Sequence, residues 1–110
     1  MPMADWLGEF EQLVLFAVLH QAPEAYGMTI RQTIESRAGR GVSVGALYTT
    51  LDRLERRGLL KSAWGEATAV RGGKRKRFYD LTPAGHEALG RAWDAVRSLA
   101  RVAAPKLERP

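Results

Sequence analysis

The stretch that most constrains this chain is GVSVGALYTTLDRLERRGLL, at positions 41–60. Its apolar residues recur at helical spacing and form one stripe, Leu47, Leu51 and Leu54. Ser43 precedes the stripe, where its hydroxyl can accept a hydrogen bond from a free backbone N–H. Gly58 follows it, where the left-handed conformation that ends many helices is easiest for glycine. The pattern predicts a short amphipathic helix with a defined start and end.

The face of this helix opposite the leucines begins with small and hydroxylic side chains and ends with cationic ones. It carries Gly45, Thr49, Arg53 and Arg56, with Ala46 and Asp52 beside them and Tyr48 on the flank. A helix of this shape can place its thin N-terminal half in the major groove of DNA, which is wide enough for one helix. The alternative is an ordinary surface helix with a solvated polar face.

Length and composition limit the class of protein. A chain of 110 residues suits one domain with a small core, which gains stability from oligomerisation. The absence of cysteine excludes disulfides, thiolate metal sites and cysteine nucleophiles. The longest nearly apolar run, 13–19, is too short to span a bilayer, and the start lacks the basic segment of a signal peptide. We therefore expect a cytoplasmic protein with no membrane partner.

Two helices are predicted before this stretch. The first begins at Glu9 and is apolar on all sides between 13 and 19, which indicates burial on more than one side. One of those sides faces either another subunit or the centre of the core. The second helix runs from about 27 to 38, with its inward positions at Met28, Ile30 and Ile34. A glycine-rich connection joins it to the third helix, in a helix-turn-helix-like order.

A basic hairpin is predicted after the third helix. Residues 59–64 and 77–82 have the composition of strands, and the second places Tyr79 and Leu81 on one face. Five of the seven residues at 71–77 are basic, in a chain of net charge +5. A wing at this place sets cations beside the groove that the helix would enter, whereas a merely solvated loop is the alternative. The cations expected at phosphate or the minor groove are Arg71, Lys74, Arg75 and Lys76.

Thr82 and Pro83 begin a last helix, with a hydroxyl N-cap and proline at the first position. Its apolar seam consists of Leu89, Ala92, Trp93, Val96, Leu99 and Ala103. Residues 83–104 would span about 33 Å as a helix, which exceeds what the core of this small domain needs. The seam therefore predicts pairing with a second copy, and the alternative is that it folds back onto the first helix.

The predicted fold is α+β and mainly α, a winged helix-turn-helix with a two-stranded wing and a long C-terminal dimerisation helix. Residues 1–82 would form the DNA-binding domain, and residues 83–110 the dimerisation helix and tail. We expect no enzyme, metal or cofactor, because His20 and His86 are isolated and no carboxylate pair has metal-ligand spacing. The sequence around Lys74 lacks the other residues of a phosphate-binding loop.

Several segments resemble the PadR family of bacterial winged-helix transcriptional regulators, over about residues 7–90. They are LGEFEQLVLFAVL, AYGMTIRQTIE, VSVGALYTTLDRLERRGLLKSAW and GGKRKRFYDLTPAG. Ala25 departs from the histidine that many relatives carry before the tyrosine-glycine pair. The resemblance implies a homodimer that binds an inverted-repeat operator in double-stranded DNA, usually as a repressor, and that is sometimes released by a small aromatic or drug-like effector.

The resemblance also suggests site residues. The recognition-helix positions that it implies are Ser43, Val44, Gly45, Tyr48, Thr49 and Arg53. By the same resemblance an aromatic effector would meet Trp93, with Trp6, Phe16 and Val96, unless Trp93 only fills the dimer core. Two other functions stay open at this point: a winged-helix module that docks an acidic protein, and a nucleic-acid binder without sequence preference.

Overall fold

A computed structural model describes residues 6–65 and 75–108 of the chain. Its elements are the helices α1 (Glu9–Gln21), α2 (Gly27–Ala38) and α3 (Val44–Arg56), the strands β1 (Leu60–Trp64) and β2 (Arg77–Leu81), the helix α4 (Pro83–Ala103) and a short 3-10 turn (Ala104–Lys106). The structure confirms the predicted fold, a mainly helical winged helix-turn-helix with a two-stranded antiparallel sheet and a long C-terminal helix.

The ends of α3 and α4 are set by the residues that the sequence indicates. The Ser43 hydroxyl accepts a hydrogen bond from the Ala46 N–H at 3.1 Å, and Gly58 has a positive φ of 77° after α3. The Thr82 hydroxyl accepts from the Gly85 N–H at 3.0 Å and donates to the Gly58 carbonyl at 2.6 Å. Thr82 therefore caps α4 and also ties its start to the end of α3.

The core is built around α1, which packs against α2, α3, α4 and β2. The largest fully buried side chains are Leu15, Ile30, Leu47, Leu51, Leu54, Leu60, Val14 and Val18. This central position explains why α1 is apolar on so many sides. Phe16 and Leu19 nevertheless stay partly exposed, on the side of α1 away from the core.

The sheet is a hairpin attached to the turn between α1 and α2. Its register pairs Leu60 with Leu81 at one end and Trp64 with Arg77 at the other. The Tyr79 N–H donates to the Ala25 carbonyl at 2.8 Å, which fixes β2 beside that turn. The wing therefore has a defined orientation toward the helices.

One inward position differs from the sequence-based expectation. Met28 was expected to point inward, but it is 54% exposed because it lies on the first turn of α2 beside an open cleft. Val42, in the connection between α2 and α3, is buried, and the sequence pattern made no prediction for it. Its carbonyl accepts from Arg31 Nε at 2.8 Å and its N–H donates to Glu35 Oε2 at 3.0 Å, so the connection is held to α2.

Candidate nucleic-acid interface

The outer face of α3 lies opposite the side that anchors the helix. The buried residues are Leu47, Thr50, Leu51 and Leu54. At about 100° per residue, one line runs along the opposite side of the helix, and its exposed members are Gly45, Thr49, Asp52 and Arg56. Ser43 and Val44 are exposed at the N-terminal end of the same helix. The thin N-terminal half of α3 is thus open to solvent.

Tyr48 lies on the flank of α3 with its ring over the start of α2. A Cβ atom at Gly27 would overlap the Tyr48 hydroxyl, so only glycine at that position leaves the ring where it is. The side chain is still 44% exposed. Tyr48 therefore packs its hydroxyl end against the start of α2 while part of the residue remains exposed to solvent.

Arg53 is paired within the protein. Its Nε donates to Glu11 Oε2 of α1 at 3.0 Å, and its Nη2 lies 3.4 Å from the Thr50 hydroxyl. Arg57 Nη1 reaches both oxygens of the same carboxylate at 3.1 Å. This geometry changes the expectation for Arg53, because a guanidinium held against α1 is not presented along the outer line of α3. Arg56 has that position instead.

Glu11 is a functional residue that the sequence did not single out. Burial raises the pKa of its carboxyl, but hydrogen bonds from the Gly8 N–H, Arg53 and Arg57 outweigh burial and hold the pKa below the ordinary value of 4.5. The carboxylate is therefore ionised at neutral pH. No local signal distinguished it from Glu9, which is also acidic and lies in the same turn.

The cations of the wing lie close to aromatic rings. The guanidinium carbons of Arg75 and Arg77 lie 5.9 and 5.6 Å from the centre of the Trp64 ring, and Lys76 Nζ lies 4.9 Å from that of Tyr26. These distances are within the range of cation–π attraction. The other two predicted wing cations, Arg71 and Lys74, lie outside the described residues.

The wing is tied to the C-terminal end of α3 by a second polar cluster. Arg77 donates through Nε to the Ser62 hydroxyl at 2.8 Å and through Nη2 to Glu55 Oε1 at 3.2 Å. The Ser62 hydroxyl donates to Glu55 Oε2 at 2.7 Å. The wing and α3 are therefore positioned as one unit. In the same region burial raises the pKa of the Tyr79 hydroxyl.

A cleft of about 360 Å³ separates the wing from the starts of α2 and α3. Its apolar lining consists of Tyr26, Gly27, Met28, Val44, Leu47, Tyr48 and Trp64. Its cationic lining consists of Arg31, Arg75, Lys76 and Arg77. The cleft joins the exposed start of α3 to the cations of the wing, and such a surface suits a polyanion with apolar edges.

A separate apolar surface lies along α4. Phe16 and Trp93 meet edge to face, with ring centres 5.9 Å apart. Trp6 and Val96 line a groove of about 380 Å³ between the segment before α1 and α4. The four residues expected around an effector thus form two pairs beside α4.

The expected dimer seam on α4 divides in two. Leu89 is only 3% exposed and belongs to the core of the single chain, so its side chain is not available to a second copy. The seam is revised accordingly to begin at Ala92. Its later members are exposed, and Leu99 is 71% exposed. Trp93, Val96 and Ala103 also face solvent.

Two absences apply to the described ranges, 6–65 and 75–108. In them no three histidine or acidic side chains form a group that would hold a metal ion. Within the same ranges no helix has both the length and the apolar character needed to cross a membrane.

These features together define a winged-helix protein with a cationic, helix-containing face suited to DNA. The model of the transcriptional regulator PadR-like family matches residues 15–91. The chain is 42% identical over 96 residues to the transcriptional regulator Rv3488 of Mycobacterium tuberculosis, covering 84% of this chain and 85% of that protein.

Solved structures of PadR-like proteins are similar to this chain. A PadR-like transcription factor from Bacteroides fragilis has a TM-score of 0.71 and 29% identity, with 86% of this chain and 85% of the other covered. A PadR family regulator from Clostridium difficile has the same fold, with a TM-score of 0.74 at 24% identity and coverage of 90% and 99%. The chain belongs to the PadR-like family of transcriptional regulators, which are DNA-binding proteins and not enzymes.

Proposed function

We propose that this protein is a sequence-specific regulator that binds an inverted-repeat operator as a homodimer in the cytoplasm and represses transcription. The observation that carries the proposal is the shared face of α3 and the wing, where the exposed start of a helix adjoins the wing cations Arg75 and Lys76. PadR-like regulators usually repress transcription, and this supports repression rather than activation.

In this proposal residues 1–82 bind DNA. The outer line of α3 enters the major groove, and the wing holds the flanking backbone. The residues proposed at DNA are Ser43, Val44, Gly45, Tyr48, Thr49, Arg56, Arg71, Lys74, Arg75 and Lys76. Arg53 is given a positioning role instead, because Glu11 holds it.

Residues 83–110 are proposed to form the dimer. One apolar stripe of α4 begins in the core at Ala88 and Leu89 and continues past it through Val96 and Leu99, which are 51% and 71% exposed. A second copy would cover this continuation. The resulting two recognition helices would meet successive major grooves about one helical turn apart.

A small planar aromatic effector is proposed at the surface formed by Trp6, Phe16, Trp93 and Val96. Exposed aromatic rings beside an apolar groove support such a ligand. Titration of planar cationic dyes against tryptophan fluorescence tests this part, and an absence of saturable quenching would leave Trp93 with a packing role alone.

The main test is selection of bound duplexes from a random DNA pool at about 0.15 M salt, where loose electrostatic binding is suppressed. We expect enrichment of an inverted repeat. Binding without enrichment would indicate backbone recognition only. No binding would favour a module that docks an acidic protein.

A further inference from the structure

We propose that Asp52 sets the base preference of α3 by accepting a hydrogen bond from the amino group of a cytosine in the major groove. The inference rests on the proposed function. Asp52 is exposed on the outer line of α3, between Thr49 and Arg56. Within 6–65 and 75–108 it has no hydrogen-bond or ion-pair partner, and it lies near the Tyr79 hydroxyl, whose pKa is raised first by burial and further by the charge of Asp52. Its carboxylate is exposed to solvent.

A carboxylate at this place opposes the attraction of the surrounding cations for DNA. The other acidic side chain near it, Glu55, is held by Arg77 and Ser62 and has its charge compensated within the protein. Asp52 has no such compensation. Facing a duplex, it is repelled by phosphates and loses water, and both costs are recovered only where a base donates a hydrogen bond to it. Asp52 therefore lowers the affinity for duplexes that place no hydrogen-bond donor opposite it.

The base that satisfies a carboxylate follows from the major-groove edges. Guanine presents two acceptors and thymine presents an acceptor and a methyl group, so both leave the carboxylate unpaired or repelled. Adenine has an amino donor, but its N7 acceptor lies beside that donor and repels the second carboxylate oxygen. Cytosine offers its amino group without an adjacent acceptor of its own. Asp52 is thus assigned to cytosine.

The test compares pool selections with the wild-type protein and three variants at the same salt concentration. Asp52→Asn is expected to change the preferred base at one position of each half-site from cytosine to adenine, because an amide both accepts and donates. Asp52→Ala is expected to lose the cytosine preference without gaining another, with discrimination at that position falling at least about fivefold. Asp94→Asn, which removes the same charge from exposed α4, is the matched control and should keep the wild-type motif.

The variants also differ in binding to a fixed random-sequence duplex. Removal of the repelling charge in Asp52→Asn should raise this affinity by about fivefold, whereas Asp94→Asn should leave it close to wild type. An unchanged motif and unchanged discrimination in Asp52→Asn would overturn the assignment and leave the proposed function standing. A wild-type protein that enriches no motif would overturn both. Thermal melting of each variant checks that the fold is retained.

Discussion

Glu11 on α1 holds Arg53 on α3 through an ion pair of 3.0 Å between Oε2 and Nε, and the two residues are 42 positions apart in sequence. The same carboxylate binds Arg57, whose Nη2 also donates to the Trp6 carbonyl at 3.0 Å. One acidic side chain thus connects the central helix, the helix proposed to read DNA and the segment before α1. It fixes the rotation of α3 about its axis.

Substitution of this carboxylate is expected to weaken the fold. Glu11→Gln keeps the shape of the side chain but removes the negative charge that Arg53 and Arg57 share, so the free energy of unfolding should fall by about 1–3 kcal/mol. Glu9→Gln is the matched control, because Glu9 lies in the same turn and pairs with Arg40 while its side chain is 82% exposed. It should change stability by less than about 0.5 kcal/mol. Urea unfolding at pH 7 measures both, and equal losses would contradict the role of Glu11.

The lowered pKa of Glu11 predicts a pH dependence of that difference. A carboxyl whose folded pKa lies below its unfolded value contributes stability above the unfolded value, near 4.5, and loses it as the pH falls through the folded pKa. The stability gap between wild type and Glu11→Gln should therefore be constant from pH 6 to 7 and narrow below about pH 4.5. Urea unfolding of both proteins across this range tests it. A gap that persists unchanged at low pH would mean that the charge of Glu11 is not what stabilises α3.

A glycine contact sets how closely α4 approaches the end of α3. A Cβ atom at Gly85 would overlap the Leu59 carbonyl, which belongs to the backbone and cannot rotate away. Gly85→Ala is therefore expected to destabilise the protein by about 1–3 kcal/mol. Gly90→Ala, one and a half turns later on the same helix, meets open space and should stabilise by about 0.5–1 kcal/mol. Thermal unfolding of the pair should shift in opposite directions, and a shared direction would show that the approach at Gly85 can relax.

The parts of the fold that could be predicted are those with local signals. Ser43, Gly58 and Thr82 act on neighbours within a few residues, so the ends of α3 and the start of α4 follow from short patterns. The leucine stripe of α3 likewise needs only helical spacing.

The parts that could not be predicted depend on where distant elements meet. The partner of Arg53 lies on α1, and no spacing rule connects the two helices. Leu89 satisfies the same seam pattern as Leu99, but only the first lies over the core. Periodicity shows which face of a helix is apolar, but it does not show over what length other parts of the protein cover that face. Met28 was predicted to be buried, but it lines a cleft between α2, α3 and the wing. That cleft depends on the arrangement of distant elements, so local spacing could not predict the exposure of Met28.

The wing cations are expected to contact phosphates rather than bases. Replacing both Arg75 and Lys76 by Gln should weaken binding to every duplex alike, and the slope of log affinity against log salt should become shallower by about 2. The matched control replaces Arg101 and Lys106 by Gln, which removes the same charge from the exposed C-terminal end of the chain. Titrations at several salt concentrations measure the slopes. An unchanged slope in the wing variant, or an equal change in the control, would mean that these wing cations do not neutralise phosphates.

Leu99 tests whether the exposed half of the α4 stripe is covered by a second copy. If it is, Leu99→Glu buries a charge in place of an apolar side chain in both copies. The dimer then loses about 1.5–3 kcal/mol of burial free energy for each leucine, and the burial of the charge adds to this loss. Sedimentation equilibrium should then give a dimer for the wild type and a monomer for Leu99→Glu. Ser98→Glu adds the same charge to the adjacent exposed residue, away from the stripe, and should remain a dimer. Because a monomer presents one recognition helix instead of two, Leu99→Glu should also bind a full inverted repeat no better than a single half-site. A dimer that survives Leu99→Glu would place the contact between copies elsewhere on the protein.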